Sequence, residues 1–399
     1  MLTPVEAEQL IAQHLACLPI ESLPVAQCAG AVLRENIYAE RDQPPFDRVS
    51  MDGVALDSTA IRDGARTFAI QAVQAAGDPP LNLASRSACI EVMTGAVLPP
   101  GCDAVVPVEQ LTLAQGKVTL NDPGAIEPRQ NIDRRGTETH QGSLLLASGT
   151  RLGAPEIAVA AGAGMGRVRV SAQPRLVVIS TGNELVEPGE AILPHQVRRS
   201  NVYGVIAALR RQGFDRVADD HARDDEAELL QRLQFHLDTH DVLILSGGVS
   251  MGRFDLVPRC LEKLGVRTIF HRVEQRPGKP LWFGMAPTGA AVFGLPGKPV
   301  STLVCLTRYV IPALFAAMGE TVQHKERLAL AQAVAIRSKL VQFLPVRTEL
   351  DDWGRSWAVP RATNGSGDFI ALAGTDGFVE LPAGPNDYPK GFVTRLYRW

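Results

Sequence analysis

Between Ser171 and Met318, short unbroken apolar runs alternate with amphipathic stretches, and few folds accommodate that alternation. RLVVIS (Arg175 to Ser180), DVLILS (Asp241 to Ser246) and AAVFGL (Ala290 to Leu295) are short and uniformly apolar. Such runs read as central strands covered on both faces. Between them lie NVYGVIAALRRQG (Asn201 to Gly213), with its glycine stop, DEAELLQRLQFHL (Asp225 to Leu237) and FDLVPRCLEKLG (Phe254 to Gly265), each with helical spacing. VRTIFHRV and PLWFGMA add strand candidates, and a long apolar helix follows from about Pro299. The pattern predicts an α/β, doubly wound parallel sheet.

The flanks read differently. From Ala39 to Gly142 there are short alternating segments such as TFAIQAV, ACIEVM and KVTL separated by Pro-Gly turns, which predict a mostly β insertion. SLPVAQCAGAVLRENIYA before it and GSLLLASGTRLGAPEIAVAAGAG after it are able to pair as a further unit, and the last stretch predicts a small β domain or barrel. At the start, Thr3, Pro4 and Glu6 form a capping box for a helix, with no signal peptide or membrane span expected.

With 399 residues the chain exceeds a single core, and 45% hydrophobic with 21% charged residues fits a globular protein. A net charge of -3 leaves no basic excess for a phosphate track, which argues against nucleic acid as a partner. The six cysteines are scattered without a CxxC pair, as structural thiols of a reducing cytoplasm would be.

In an open parallel sheet, ligands bind beyond the carboxyl ends of the strands. Ser180, Thr181 and Gly182 leave the first strand, and Glu184 follows. Ser246, Gly247, Gly248 and Ser250 leave the second, and Asp255 opens the next segment. Glycine amides there suit an anion such as phosphate. QRPGKP carries Arg276 and Lys279, while FGLPGKPVS places Gly297 and Lys298 before a helix start marked by Pro299 and Ser301. Asp224 and Asp225 precede a helix, where each is equally readable as an N-cap. Acids opposite lysines and glycine amides describe a site for a phosphorylated substrate with a hard divalent cation such as magnesium.

PPFDRVSMDGVAL, VMTGAVLPPGCDAVV, NIDRRGTE, STGNEL, RDD, SGGVSMGRFD, RPGKP, GLPGKPVS and GSGDFIALAGTDGFVELP, in that order, resemble the MoeA family of molybdopterin molybdenumtransferases, to which the E domain of gephyrin is related. The resemblance implies insertion of molybdate into adenylylated molybdopterin with Mg2+-dependent release of AMP in molybdenum cofactor biosynthesis. It implies a MogA-like α/β domain over residues 1–19 and 174–322, a linking or dimerisation domain over 20–37 and 143–173, a β insertion domain over 38–142, and a C-terminal domain over 323–399. It further implies a cytoplasmic homodimer with shared active sites, no nucleic-acid or membrane partner, and room for a molybdopterin adenylyltransferase and molybdoenzyme apoproteins as other partners.

Residue by residue, the resemblance assigns Asp52, Glu138, Glu184, Asp225 and Asp255 to hydrolysis, and Glu184, Asp224, Asp225 and Asp255 to the metal. It assigns Thr94, Arg135, Lys279, Ser301, Arg347 and Ser366 to substrate or molybdate. Val54, Asn183, Arg276, Lys298 and Glu138 depart from the family's usual Tyr, Asp, Lys, Asn and Asp. A molybdopterin adenylyltransferase and a non-catalytic molybdopterin-binding scaffold are the competing readings. The insertion and C-terminal domains weigh against the first; retained acids weigh against the second.

Overall fold

The computed structural model describes residues 1–248, 256–321, 326–384 and 387–399. It divides into two compact units, one of residues 1–35, 148–157 and 167–399, the other of 36–147 and 158–166.

In the first unit the central sheet has six strands in the order Val217–Ala222, Leu176–Thr181, Val242–Ser246, Ala291–Leu295, Trp282–Met285, Arg267–His271. The first four are parallel to one another. Side chains alternate between two cores because successive strand residues point to opposite faces. Val178, Ile244 and Phe293 meet the Pro4–His14, Asn201–Arg211 and Pro299–Ala317 helices on one face. Ile179, Leu245 and Val292 meet the Glu226–Thr239 and Val257–Lys263 helices on the other. The Pro299–Ala317 helix is long and apolar enough to cross a membrane, but most of it is buried in the core. At its middle a π-turn spans Leu306–Val310. The capping box at Thr3 and Glu6 is formed as the sequence predicts.

The expected all-parallel sheet needs one correction. Trp282–Met285 runs antiparallel to both of its neighbours. Only Ala286–Ala290 separates it from the next strand, and a turn that short closes a hairpin but cannot accommodate a crossover helix. The reversal places the preceding Arg276–Lys279 loop at the same sheet edge as the carboxyl ends of the parallel strands.

In the C-terminal part, Val341–Leu350, Ser356–Pro360, Arg327–Leu330, Val393–Arg398 and Gly377–Leu381 pair in sequence, and the last returns to the first, closing a small barrel. Gln275–Arg276 adds to it in parallel register with Val341 and Gln342. The Ile20–Pro24 strand pairs with Arg167–Ser171. All six thiols are free, and five of them are buried.

The second unit is built on a six-stranded mixed sheet in the order Ala104–Pro107, Gly53–Leu56, Ala88–Val92, Thr67–Gln74, Lys117–Leu120, Leu111–Ala114. One short helix, Ser58–Arg62, packs on it around Phe68, Leu56 and Val106.

Candidate functional site

The strand order reverses between Leu176–Thr181 and Val242–Ser246, and at this switch point a doubly wound sheet opens a crevice. A cavity of ≈1100 Å³ lies there. Of the sequence-predicted residues, Thr181, Gly182, Glu184, Asp224, Gly247, Gly248, Lys279, Gly297, Lys298, Ser301 and Ser366 line it, with Arg276. A second cavity of ≈450 Å³ shares Thr181, Glu184, Gly247 and Gly297 with the first and adds Ser180 and Ser246.

Thr181 is 4% exposed, and its Oγ1 makes no hydrogen bond to any described residue. A buried hydroxyl without a partner costs ~1–3 kcal/mol, and this one belongs to a residue that lines both cavities. Gly248 lies beside it at φ +65, where an added Cβ would sit 2.7 Å from that same Oγ1. Glycine therefore keeps the turn close to the hydroxyl.

The acids divide. The Glu184 carboxylate folds back over Gly182, whose Cβ would lie 2.5 Å from Oε2. Asn183 Oδ1 accepts the Asp224 amide at 3.1 Å, joining the two acid-bearing loops. A carboxylate could accept the same bond, so asparagine here changes charge and not scaffold. Asp225 is the N-cap of the Glu226–Thr239 helix, its Oδ1 accepting the Glu228 amide at 2.9 Å. Asp255 and Ser250 lie outside the described residues. Among the described residues no cluster of three His, Cys, Asp or Glu side chains is present. The two hard carboxylates of Glu184 and Asp224 suit magnesium, which commonly takes one or two carboxylates and completes its shell with water and substrate phosphate.

Three cations share the cavity lining. Arg276, Lys279 and Lys298 line the cavity and form no ion pair among the described residues. Lys298 is exposed and stands at the N-cap of the apolar helix. The expected amide cradle is narrower than the sequence implies. Pro299 has no N–H, and the Val300 amide is donated to Ser366 O at 3.1 Å, leaving the Ser301 amide and hydroxyl with Lys298.

Four residues that the sequence reading passed over hold this frame. Asn201 Nδ2 donates to Ser246 Oγ at 3.0 Å and Gly297 O at 2.8 Å, tying two strand-end loops together. Arg199, 6% exposed, donates to Ser180 Oγ at 2.6 Å and pairs with Glu187 and Asp219. Gln275 is fully buried; its Nε2 donates to Pro277 O at 3.2 Å and its Oε1 accepts from Tyr309. Gly278, at φ +95, is required there, since a Cβ would meet Gln275 Nε2 at 2.5 Å and Cys305 Sγ at 2.6 Å. The Arg276–Lys279 loop is thus anchored from below.

The remaining predicted residues lie elsewhere. Arg347 pairs with Val359 on the barrel and reaches Glu349 at 3.6 Å, away from the cavity lining. In the other unit, Asp52 Oδ1 accepts both the Thr94 amide at 2.6 Å and its hydroxyl at 2.8 Å. The amide first, then the hydroxyl, holds the Asp52 carboxyl below the usual range. Arg135 Nε donates to Asp42 at 2.7 Å, and Glu138 pairs with Arg48 at 3.1 Å.

Comparison with known proteins gives a consistent picture. Residues 2–164 match the MoeA N-terminal region (domain I and II), 177–316 a probable molybdopterin binding domain, and 327–395 the MoeA C-terminal region (domain IV). A molybdopterin molybdenumtransferase of Synechocystis sp. is 37% identical over 402 residues, covering 100% of both chains. One of Staphylococcus aureus is 28% identical, covering 98% of this chain and 94% of the other. A crystal structure of a molybdopterin biosynthesis MoeA protein from Pyrococcus horikoshii superposes with a TM-score of 0.79 at 29% identity, over 100% of this chain and 99% of that one.

Proposed function

The chain belongs to the MoeA family of molybdopterin molybdenumtransferases, and on that premise we propose that it inserts molybdate into adenylylated molybdopterin and releases AMP. The observation carrying this reading is the cavity at the switch point. It holds two carboxylates, three cations, an unpartnered buried hydroxyl and a glycine turn within one crevice.

Thr181 Oγ1 and the Gly247–Gly248 turn receive a phosphate of the substrate. Lys279, Lys298 and Ser301 hold the tetrahedral oxyanion molybdate as charge-assisted partners. Glu184 and Asp224 are the groups that would hold magnesium. When bound, magnesium neutralises the pyrophosphate and polarises its phosphorus for attack by water. Water adds to phosphorus, the phosphoanhydride bond breaks to give AMP and the pterin phosphate, and molybdate then bonds both dithiolene sulfurs while one of its oxygens leaves as water with the two thiol protons. The Arg276–Lys279 anchor and the Asn201 bonds keep the cations and the glycine turn in register throughout.

Reconstitution tests the reading: the protein, adenylylated molybdopterin, molybdate and magnesium are expected to activate a molybdenum-free molybdoenzyme apoprotein in the cytoplasmic pH range. Failure to do so at any molybdate concentration, with AMP release also absent, would remove the proposal.

Two further outcomes follow from it. Lys298→Asn is expected to weaken molybdate binding by about 0.5–1 kcal/mol at low ionic strength. That corresponds to a roughly two- to fivefold rise in Kd, shrinking as salt is added. An unchanged molybdate dependence at low salt would assign the oxyanion to Ser301 and Lys279 alone.

We propose also that the protein is a homodimer in which Asp52, Thr94, Arg135 and Glu138 of one copy serve the crevice of its partner. A mixture of Asp52→Ala and Glu184→Ala chains, unfolded together and refolded, is then expected to regain about a quarter of wild-type activity, since half the dimers are hybrids with one intact site of two. A mixture as inactive as either parent would contradict shared sites.

A further inference from the structure

Arg276 and Lys279 form no ion pair among the described residues, so the place of their charged heads is set by the backbone turn that carries them. That turn is fixed from inside the core. Gln275, with no exposure to solvent, donates from Nε2 to Pro277 O at 3.2 Å, and Cys305 Sγ lies 3.7 Å from Gly278 O. The other end of the same amide, Oε1, accepts from the Tyr309 hydroxyl. Tyr309 is 2% exposed, and burial pushes its phenol well above the ordinary range, so the group keeps its proton and stays a donor. A donor there decides which way round the amide stands: with Oε1 held by the hydroxyl, Nε2 is the end that meets the loop carbonyl. Tyr309 belongs to the π-turn Leu306–Val310, an irregularity that helices often carry at functional positions. The neighbouring Arg308 leaves the same turn toward Glu8 and Glu380, which makes this turn the junction of the N-terminal helix, the barrel and the cation-bearing loop.

We propose that Tyr309, which is not among the residues lining the cavity, is a positioning residue for the oxyanion: through Gln275 it places Arg276 and Lys279 in the crevice and so sets the affinity for molybdate. The role rests on the reading of the crevice as the place where molybdate is bound. Phenylalanine at this position keeps the ring and its packing but leaves Gln275 Oε1 buried without a donor. The amide relieves that penalty by turning or withdrawing, and Pro277 O loses its bond. The effect falls on the two cations of this loop, because Glu184, Asp224 and the Gly247–Gly248 turn follow other strands. Oxyanion binding is thereby separable from hydrolysis.

Three measurements on the full-length protein compare wild type with Tyr309→Phe and with Phe214→Leu, a variant weakened in the same core cluster. Equilibrium dialysis with molybdate alone at low ionic strength is expected to give a Kd raised roughly fivefold in Tyr309→Phe and unchanged in Phe214→Leu. In cofactor formation the molybdate KM of Tyr309→Phe is expected to rise by a similar factor, while the rate at saturating molybdate stays within about twofold of wild type. By hydrogen exchange, the Gly278 and Lys279 amides are expected to exchange faster relative to the central strands in Tyr309→Phe only. Lys279→Ala supplies a double-mutant cycle: adding Tyr309→Phe to it is expected to change the molybdate Kd less than it does in wild type, because the two act through one loop. A Kd for Tyr309→Phe equal to wild type, an equal rise in Phe214→Leu, or losses that multiply in full in the double variant would overturn the positioning role. Wild-type protein that binds no molybdate and forms no cofactor would contradict the proposed function. The exchange rates would then still decide whether Tyr309 holds the loop, with unchanged rates at Gly278 and Lys279 overturning that as well.

Discussion

Glu184→Gln is expected to slow AMP release on the order of 100-fold while leaving binding of the pterin substrate close to wild type. The substitution keeps the side-chain shape that folds back over Gly182 and removes only the charge. With Asp224 the sole other acid described on the cavity lining, loss of Glu184 halves the carboxylate charge available to a magnesium–pyrophosphate unit. Asp225→Asn is the matched control. Asp225 caps the Glu226–Thr239 helix, a function asparagine also performs, so that variant is expected to keep both its stability and its AMP release. AMP release read by chromatography separates the two; equal losses in both variants would place Asp225 in the hydrolytic machinery as well.

Arg308→Met is expected to destabilise the first unit by about 3 kcal/mol. Arg308 is 2% exposed and reaches Glu8 Oε2 at 2.8 Å on the N-terminal helix and Glu380 Oε2 at 3.0 Å on the barrel. Its guanidinium also lies 5.1 Å from the Tyr309 ring centroid and 5.2 Å from that of Tyr397. Methionine fills the volume but leaves Glu380, which also accepts from Tyr397 at 2.6 Å, with an uncompensated charge. Partial exposure of both acids keeps the expected loss at the lower end of the range for broken buried pairs. Three of the four tryptophans, Trp353, Trp357 and Trp399, lie in the C-terminal part, so their fluorescence follows the barrel's unfolding in urea. Adding Glu380→Gln to Arg308→Met is expected to recover part of the stability. A midpoint equal to wild type in the single variant would show that Arg308 contributes no net stabilisation.

Much of this frame was legible from residue order. Uniformly apolar runs such as LVVIS and VLILS specify central strands, and the carboxyl ends of such strands, where this sequence places Gly, Ser and Lys, are the edge at which an open parallel sheet opens a crevice. The direction of Trp282–Met285 was not legible from its own side chains, since an apolar run packs equally well either way; the short Ala286–Ala290 connection decides it. Closure of the barrel rests on the pairing of Gln342–Val346 with Gly377–Leu381, which local pattern does not encode. Arg199, Asn201 and Gln275 escaped notice because a polar residue near a helix start or in a loop looks like a solvated one. Only the fold buries Arg199 and Gln275 and converts the Asn201 amide into a tie between strand-end loops. Asp225 illustrates the converse limit, for a cap and a metal ligand share one residue type at one position.

The central claim is that one crevice couples hydrolysis to metal insertion, and a single-turnover experiment addresses it most directly. Protein in excess over adenylylated molybdopterin is mixed with magnesium and saturating molybdate. AMP and dithiolene-bound molybdenum are then quantified in the same samples. The account predicts that the two products accumulate in equal amounts and that Glu184→Gln suppresses both together. AMP accumulating without bound molybdenum at any molybdate concentration would contradict it.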